Sequence, residues 1–288
     1  MRQHARILGL CLALVGIGTL SATTVSAAPR AVAAGAAKKP AGYSIASATF
    51  ALPNGGQTPG SVTCPVKKGV QTVPLSGGAL VQTDSLEASI NSSYPTAHGW
   101  SVDVNNTSGA PSQFTVKAVC ATKPKGYTQL VGAADPNPAG SQSPNTFTCP
   151  KGDLLTGGGA LSSSDSTLVS LNSSYPDSET MWVVFMNNFS SSNATMTPFG
   201  VCAKFNTRKV SYTYASGSED NNPAGQETAT EAECPFGLAV LGGGMQSLDP
   251  GTTVSINSTF PFTGGWIGDV SNTGTNSAIV TTFILCAS

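Results

Sequence analysis

The chain has 288 residues, a formal net charge of −1 and 10% charged side chains, against roughly a quarter in typical soluble domains. Glycine (32) and proline (19) are abundant, as in proteins rich in strands and turns. No clustered lysines or arginines form the basic surface that nucleic acid or an anionic membrane requires, so we expect neither a nucleic-acid partner nor stable membrane insertion.

The first 27 residues have the features of a secretory signal peptide. A basic start, MRQHAR, precedes the apolar run ILGLCLALVGIGTL, and Val25 and Ala27 fit the minus-three and minus-one positions of a cleavage site. The run is too short to span a bilayer comfortably. Residues 28–42 are rich in alanine without periodicity, which predicts a disordered spacer. We therefore expect a secreted, extracellular protein.

Three repeats fill the rest of the chain, at residues 43–125, 126–209 and 210–288. In each, Cys-Pro is followed by a glycine-rich segment, an Asn-Ser-Ser-Tyr-Pro-like segment, a tryptophan, an asparagine and a second cysteine. The first cysteines, Cys64, Cys149 and Cys234, are 85 residues apart. A threefold repeat of this regularity fixes the domain organisation before any fold is assigned.

The repeat also predicts the disulfides, because equivalent sequences should form equivalent bonds. The expected pairs are Cys64–Cys120, Cys149–Cys202 and Cys234–Cys286. Each bond closes a loop of about 53 residues and should stabilise its repeat by roughly 4 kcal/mol. A zinc site is disfavoured because no C-x-x-C occurs and one histidine remains after signal removal. We expect no metal and no cofactor.

Alternating or continuously apolar segments rich in β-branched residues, such as WSVDVN and AIVTTFILCA, predict about six strands per repeat. The fold class is therefore all-β. Two architectures fit: three tandem disulfide-stapled β-sandwich domains, which the strand count favours, or one pseudo-threefold β-prism-like body.

Structural roles account for most of the repeated residues. The tryptophans Trp100, Trp182 and Trp266 are expected in the core, with their rings against the bare backbone of the glycine triplets, where the strand bulges. The asparagines six residues later, Asn106, Asn188 and Asn272, are expected in turns. The Ser-Tyr-Pro segments are expected to form corners with half-buried aromatic rings. These rings, Tyr94, Tyr175 and Phe260, are the candidate binding residues.

No repeated residue is typical of catalysis. His98 has no counterpart in the other repeats and no G-x-S-x-G motif accompanies it. The sequence thus favours a non-catalytic structural or binding protein of the cell envelope or extracellular matrix. Its partner would be a polysaccharide or an extracellular protein. The alternatives are a secreted protease inhibitor, because rigid disulfide domains present loops well, and a hydrolase that uses His98.

The order C-P-x-G, G-G-G, S-S-Y-P, W, N, V-C-A resembles a repeated module of uncharacterised secreted actinobacterial proteins. The resemblance covers Tyr43 to Ser288 and implies a class and a compartment, without an activity. A more distant resemblance is to the vitelline membrane outer layer protein, a threefold β-prism with disulfides and shorter repeats.

Overall fold

The structure, a computed structural model, describes residues 39–206 and 211–288, which form 21 β-strands and contain no helix. The all-β prediction is thus confirmed. The predicted signal peptide, residues 1–27, and most of the predicted spacer, residues 28–42, lie outside the described residues. Accordingly, the described part of the chain has no helix with the length and apolar character of a membrane span.

The strands follow the repeats along the chain. The first repeat contains β1 (Ser44–Leu52), β2 (Gly56–Thr63), β3 (Val66–Lys67), β4 (Val70–Gln71), β5 (Val73–Val81), β6 (Ala88–Thr96), β7 (Gly99–Asn106) and β8 (Ser112–Ala121). The second contains β9 (Thr128–Val131), β10 (Asp135–Asn137), β11 (Ser141–Thr148), β12 (Leu154–Ser162), β13 (Val169–Pro176), β14 (Met181–Asn188) and β15 (Ala194–Ala203). The third contains β16 (Tyr212–Asn222), β17 (Gln226–Glu233), β18 (Ala239–Ser247), β19 (Val254–Phe262), β20 (Gly265–Asn272) and β21 (Ala278–Ala287).

Three antiparallel sheets organise these strands, and each sheet takes its strands from two repeats. Sheet I has the order β1-β8-β5-β19-β20-β17. Sheet II has the order β10-β15-β12-β6-β7-β2, with β9 also on β15, and sheet III has the order β11-β14-β13-β18-β21-β16. The short strands β3 and β4 form a separate ribbon in the first repeat. The inner strands of the three sheets pack on one another around a pseudo-threefold axis.

The tandem arrangement that the strand count favoured is wrong, although its sandwich element is present. Each repeat places three strands in one sheet and three in another, and these two layers pack face to face. The repeats are not separate domains, however, because β5 pairs with β19, β12 with β6 and β18 with β13. Such pairing covers inner edges that independent sandwiches would leave open. The result is the alternative architecture, one pseudo-threefold body, and the three repeats lie in one compact unit.

The three disulfides join the cysteines that the repeat predicted: Cys64–Cys120, Cys149–Cys202 and Cys234–Cys286. In every repeat the first cysteine follows a strand of one sheet and the second lies on a strand of the other. Each bond therefore staples the two layers of its own repeat. The sharing of sheets between repeats depends on other contacts.

The glycine triplets provide part of those contacts. All three strands that carry them have a register shift just before the triplet, as the predicted bulge requires. The middle glycine faces tryptophan: a Cβ added at Gly158 would lie 2.5 Å from Cγ of Trp182. The next glycine, Gly159, lies directly against the carbonyl oxygen of Ser93 in the first repeat. Side chains at these positions would prevent both the tryptophan packing and the pairing between repeats.

Candidate functional site

The aromatic residues predicted as a binding surface lie between the repeats. They belong to strands β6, β13 and β19, so the predicted corners are also wrong. Each ring packs on a residue three positions before the second cysteine of the next repeat. The contacts are Tyr94 with Phe199 at 5.4 Å, Tyr175 with Phe283 at 5.0 Å, and Phe260 with the ammonium of Lys117 at 4.3 Å, measured between ring centroids or to the nitrogen.

Burial leaves these rings little surface for a ligand. Tyr175 and Phe260 are 4% and 7% exposed, and Tyr94 is half-buried. The hydroxyl of Tyr175 accepts a hydrogen bond from the Gln246 amide at 2.8 Å, and burial raises its pKa to about 12. We therefore correct the prediction for Tyr175 and Phe260, because both stabilise a junction between repeats.

The Asn-Ser-Ser segment before each ring also links the repeats. The asparagine amide donates to a backbone carbonyl of the following repeat, and the three bonds close a ring. They run from Asn91 to Val169 at 2.9 Å, from Asn172 to Val254 at 3.0 Å, and from Asn257 to Ala88 at 3.3 Å. Because all three asparagines are buried, these bonds satisfy polar groups that water does not reach.

The two residues after each of these asparagines complete the arrangement. The hydroxyl of Ser173 donates to the side-chain oxygen of Asn172 and accepts the Ser247 N–H of the third repeat at 2.9 Å. The hydroxyl of Ser174 accepts the indole N–H of Trp182 at 3.0 Å. Trp100 and Trp266 form the same bond in their own repeats, and all three tryptophans are buried as predicted. This segment is thus fully used by the fold.

The asparagines six residues after each tryptophan close turns, as predicted. The Asn188 amide donates to the Ser192 carbonyl at 2.9 Å, and its oxygen accepts the Ser190 N–H at 3.1 Å. Asn106 and Asn272 form equivalent bonds. These side chains are buried and hydrogen-bonded to the backbone, so we assign them no ligand.

At one end of the pseudo-threefold axis, the three repeats surround a depression of about 430 Å³, which we call the axial depression. Each repeat contributes four residues from equivalent positions, two from a loop, one from the strand after it and one that follows the turn asparagine's strand. They are Leu86, Glu87, Ser89 and Thr107, then Thr167, Leu168, Ser170 and Phe189, and finally Thr252, Thr253, Ser255 and Thr273.

The rim of the axial depression differs between repeats. In the first and third repeats it carries threonines, and the Thr107 hydroxyl donates to the Glu87 carbonyl at 3.1 Å. In the second repeat the same positions are Leu168 and Phe189, joined through the Phe189 N–H and the Leu168 carbonyl at 2.8 Å. Their side chains are 51% and 65% exposed. One side of the rim is therefore an apolar, partly aromatic surface.

The floor of the axial depression is a ring of serines, Ser89, Ser170 and Ser255. The Ser89 hydroxyl accepts a hydrogen bond from the Asn105 amide at 3.3 Å. Within the described residues, the hydroxyls of Ser170 and Ser255 have no hydrogen-bond partner, so both can bond a ligand. Glu87 is the one carboxylate among the lining residues. The surface thus offers hydroxyls and an aromatic ring, and it lacks the paired titratable groups of acid–base chemistry.

His98 lies elsewhere, in the two-residue turn between β6 and β7. It lines a different cleft, together with Lys123, Tyr127 and two glutamines. None of the residues that line this cleft is an acid, a serine or a cysteine. Across residues 39–206 and 211–288, no three His, Cys, Asp or Glu side chains are grouped to hold a metal ion.

The sequence did not point to Leu168 and Phe189. The signal was present, because aligning the repeats places these apolar residues opposite Glu87 and Thr107 in one repeat and Thr253 and Thr273 in the other. Recognising their exposure required knowledge of which end of the strands meets at the axis. Comparison with protein-family models finds no match for the chain, and comparison with curated proteins finds no significant match.

Proposed function

We propose that this chain is a non-catalytic, secreted binding protein of the cell envelope or extracellular matrix, and that its axial depression binds an uncharged polysaccharide. One observation carries the proposal: the surface where all three repeats converge is lined by hydroxyls and flanked by the exposed side chains of Leu168 and Phe189.

The chemistry of a sugar matches this surface. A pyranose ring has an apolar face of C–H groups, which packs on an aromatic ring, and a rim of hydroxyls, which exchange hydrogen bonds with serine and threonine. Phe189 supplies the ring, and Ser170 and Ser255 supply hydroxyls without other partners in the described part of the chain. Exposed apolar groups rimmed by polar residues are typical of binding sites.

The compartment and the absence of charge agree with this role. Three disulfides are typical of proteins in oxidising compartments outside the cytoplasm. The proposed site carries a single carboxylate, that of Glu87, so neutral ligands are favoured over anionic ones.

Retention on insoluble cell-wall polysaccharide and on neutral glycans tests the proposal, with the double variant Leu168→Ala and Phe189→Ala. We expect retention of the unaltered chain and a loss of affinity of about tenfold or more in the variant, since that follows from roughly 1.4 kcal/mol of lost contact. Phe236→Ala is the matched control, because Phe236 is 72% exposed in the turn after Cys234 and does not line the axial depression. Equal retention of all three proteins would refute the site. Retention of none would refute polysaccharide binding.

A further inference from the structure

Lys123 is a cation without an acidic partner. In the described residues the one ion pair joins Lys204 to Asp153, at 3.8 Å. The Lys123 ammonium lies instead over the ring of Tyr127, 5.8 Å from its centroid. Charged side chains on a weakly charged protein usually find a counter-charge, in the protein or in a ligand.

The surroundings of Lys123 form a cleft of about 470 Å³ at the junction of the first two repeats, which we call the lysine cleft. Its polar lining consists of Lys123, His98, Tyr127, Gln71 and Gln129. No lining residue carries a negative charge, so the cleft has an electropositive surface.

The other polar groups of the cleft are already occupied. The Gln129 amide donates to the Thr96 carbonyl and to the Tyr127 hydroxyl, both at 2.8 Å. The Tyr127 hydroxyl in turn donates to the Pro74 carbonyl at 2.7 Å. The Gln71 amide donates to the Cys64 carbonyl at 2.7 Å. These bonds hold the walls in place and leave the Lys123 ammonium and the His98 imidazole as the groups available to a ligand.

The same construction occurs at the junction of the third and first repeats. Lys39 precedes Tyr43 by four residues, as Lys123 precedes Tyr127, and its ammonium lies 5.3 Å from the Tyr43 ring centroid. These two residues line a cleft of about 330 Å³ that also lacks an acidic residue. A lysine over a tyrosine beside an inter-repeat cleft is therefore a recurring feature of the molecule.

We propose that the lysine cleft binds an anionic group, a phosphate or a carboxylate, through Lys123 and His98. A compact anion accepts charge-assisted hydrogen bonds from an ammonium and an imidazole, and these are stronger than bonds between neutral groups. Such groups occur in envelope polymers as phosphodiesters and as uronic acids. This inference does not depend on polysaccharide binding at the axial depression.

Titration of the full chain with inorganic phosphate, followed by the NMR signals of the His98 imidazole and the Tyr127 ring, tests the proposal. Chloride keeps the ionic strength constant, so that general screening does not change. We expect saturable shifts at both residues, and about tenfold weaker binding in Lys123→Gln because a charge-assisted bond is lost. Lys151→Gln is the matched control, since Lys151 is exposed in the turn after Cys149 and outside the cleft.

A second titration with glucuronate distinguishes a carboxylate from a phosphate as the preferred group. Non-saturable shifts with both anions, or equal weakening by Lys123→Gln and Lys151→Gln, would overturn the proposal. Phe189→Ala separates the two sites: it should leave anion binding unchanged even if it abolishes polysaccharide retention.

Discussion

The side-chain amide of Asn91, in the first repeat, donates to the backbone carbonyl of Val169, in the second, at 2.9 Å. Equivalent bonds run from the second repeat to the third and from the third back to the first. Because the ring is closed, no repeat can leave without breaking two of these bonds. The asparagines lie beside the strand pairs that join the repeats, so they stabilise the shared sheets directly.

Replacing Asn172 with alanine should therefore destabilise the whole protein. The Asn172 amide donates to the buried Val254 carbonyl at 3.0 Å, and its oxygen accepts from Ser173. Loss of both bonds in a buried position should lower the free energy of unfolding by about 2 kcal/mol. Urea denaturation measures the change. Asn276→Ala is the control, because Asn276 is exposed, and it should stay within about 0.5 kcal/mol. Similar stability of the two variants would contradict the structural role of the ring.

Gly158→Ala should disturb the packing of Trp182. A Cβ at this position would lie 2.5 Å from Cγ of the indole, which is closer than atoms approach, so the ring or the strand must shift. We expect a loss of about 1–3 kcal/mol of unfolding free energy together with altered tryptophan fluorescence. In Gly56→Ala, the control, the added methyl group meets nothing within 4 Å. A Gly158→Ala protein with unchanged stability and spectrum would show that the glycine is not needed for this contact.

The junction between the third and first repeats contains an acidic substitution. Gln142 bonds Asn187 in its own repeat, and its amide also donates to the Gly251 carbonyl of the next repeat at 2.8 Å. The third repeat has Glu227 and Ser271 at these two positions. Burial raises the pKa of Glu227 to about 7, with further contributions from the negative charges of Asp269 and Asp84.

This raised pKa predicts that stability falls as the pH rises. Glu227 keeps its proton in the folded protein up to about pH 7, whereas the unfolded chain loses it near the ordinary value of 4.5. The folded state therefore binds more protons between these values, and its stability decreases across pH 4.5–7. Since Glu227 is partly exposed, we expect a contribution of about 1 kcal/mol, well below the unscreened value.

Glu227→Gln isolates this contribution. The variant should be more stable than the unaltered protein at pH 8 by about 1 kcal/mol and equally stable near pH 4, where the carboxyl is neutral. Gln142→Glu, which introduces an acid at the equivalent position, should have the opposite effect at pH 8. Urea denaturation at both pH values decides the matter, and a difference that is the same at pH 4 and pH 8 would rule out titration of Glu227.

Much of the local structure followed from the sequence because it is repeated. The disulfide pairs and the buried tryptophans recur at fixed spacings, so one assignment determines all three. The partners of the inner strands did not follow, because β12 has the same sequence signal whether it pairs with a strand of its own repeat or with β6 of the first. Only the fit of Gly159 against Ser93 decides this, and that contact joins residues far apart in the chain. The Ser-Tyr-Pro segments were misassigned to corners because proline usually ends a strand.

Differential scanning calorimetry tests most directly whether the three repeats form one body with shared sheets. The structure predicts a single transition whose van 't Hoff enthalpy equals its calorimetric enthalpy, because no repeat has a complete set of strand partners alone. Asn172→Ala should shift that single transition to lower temperature without splitting it. Two or three resolved transitions, or a van 't Hoff enthalpy near one third of the calorimetric value, would contradict the account, since the repeats would then unfold independently.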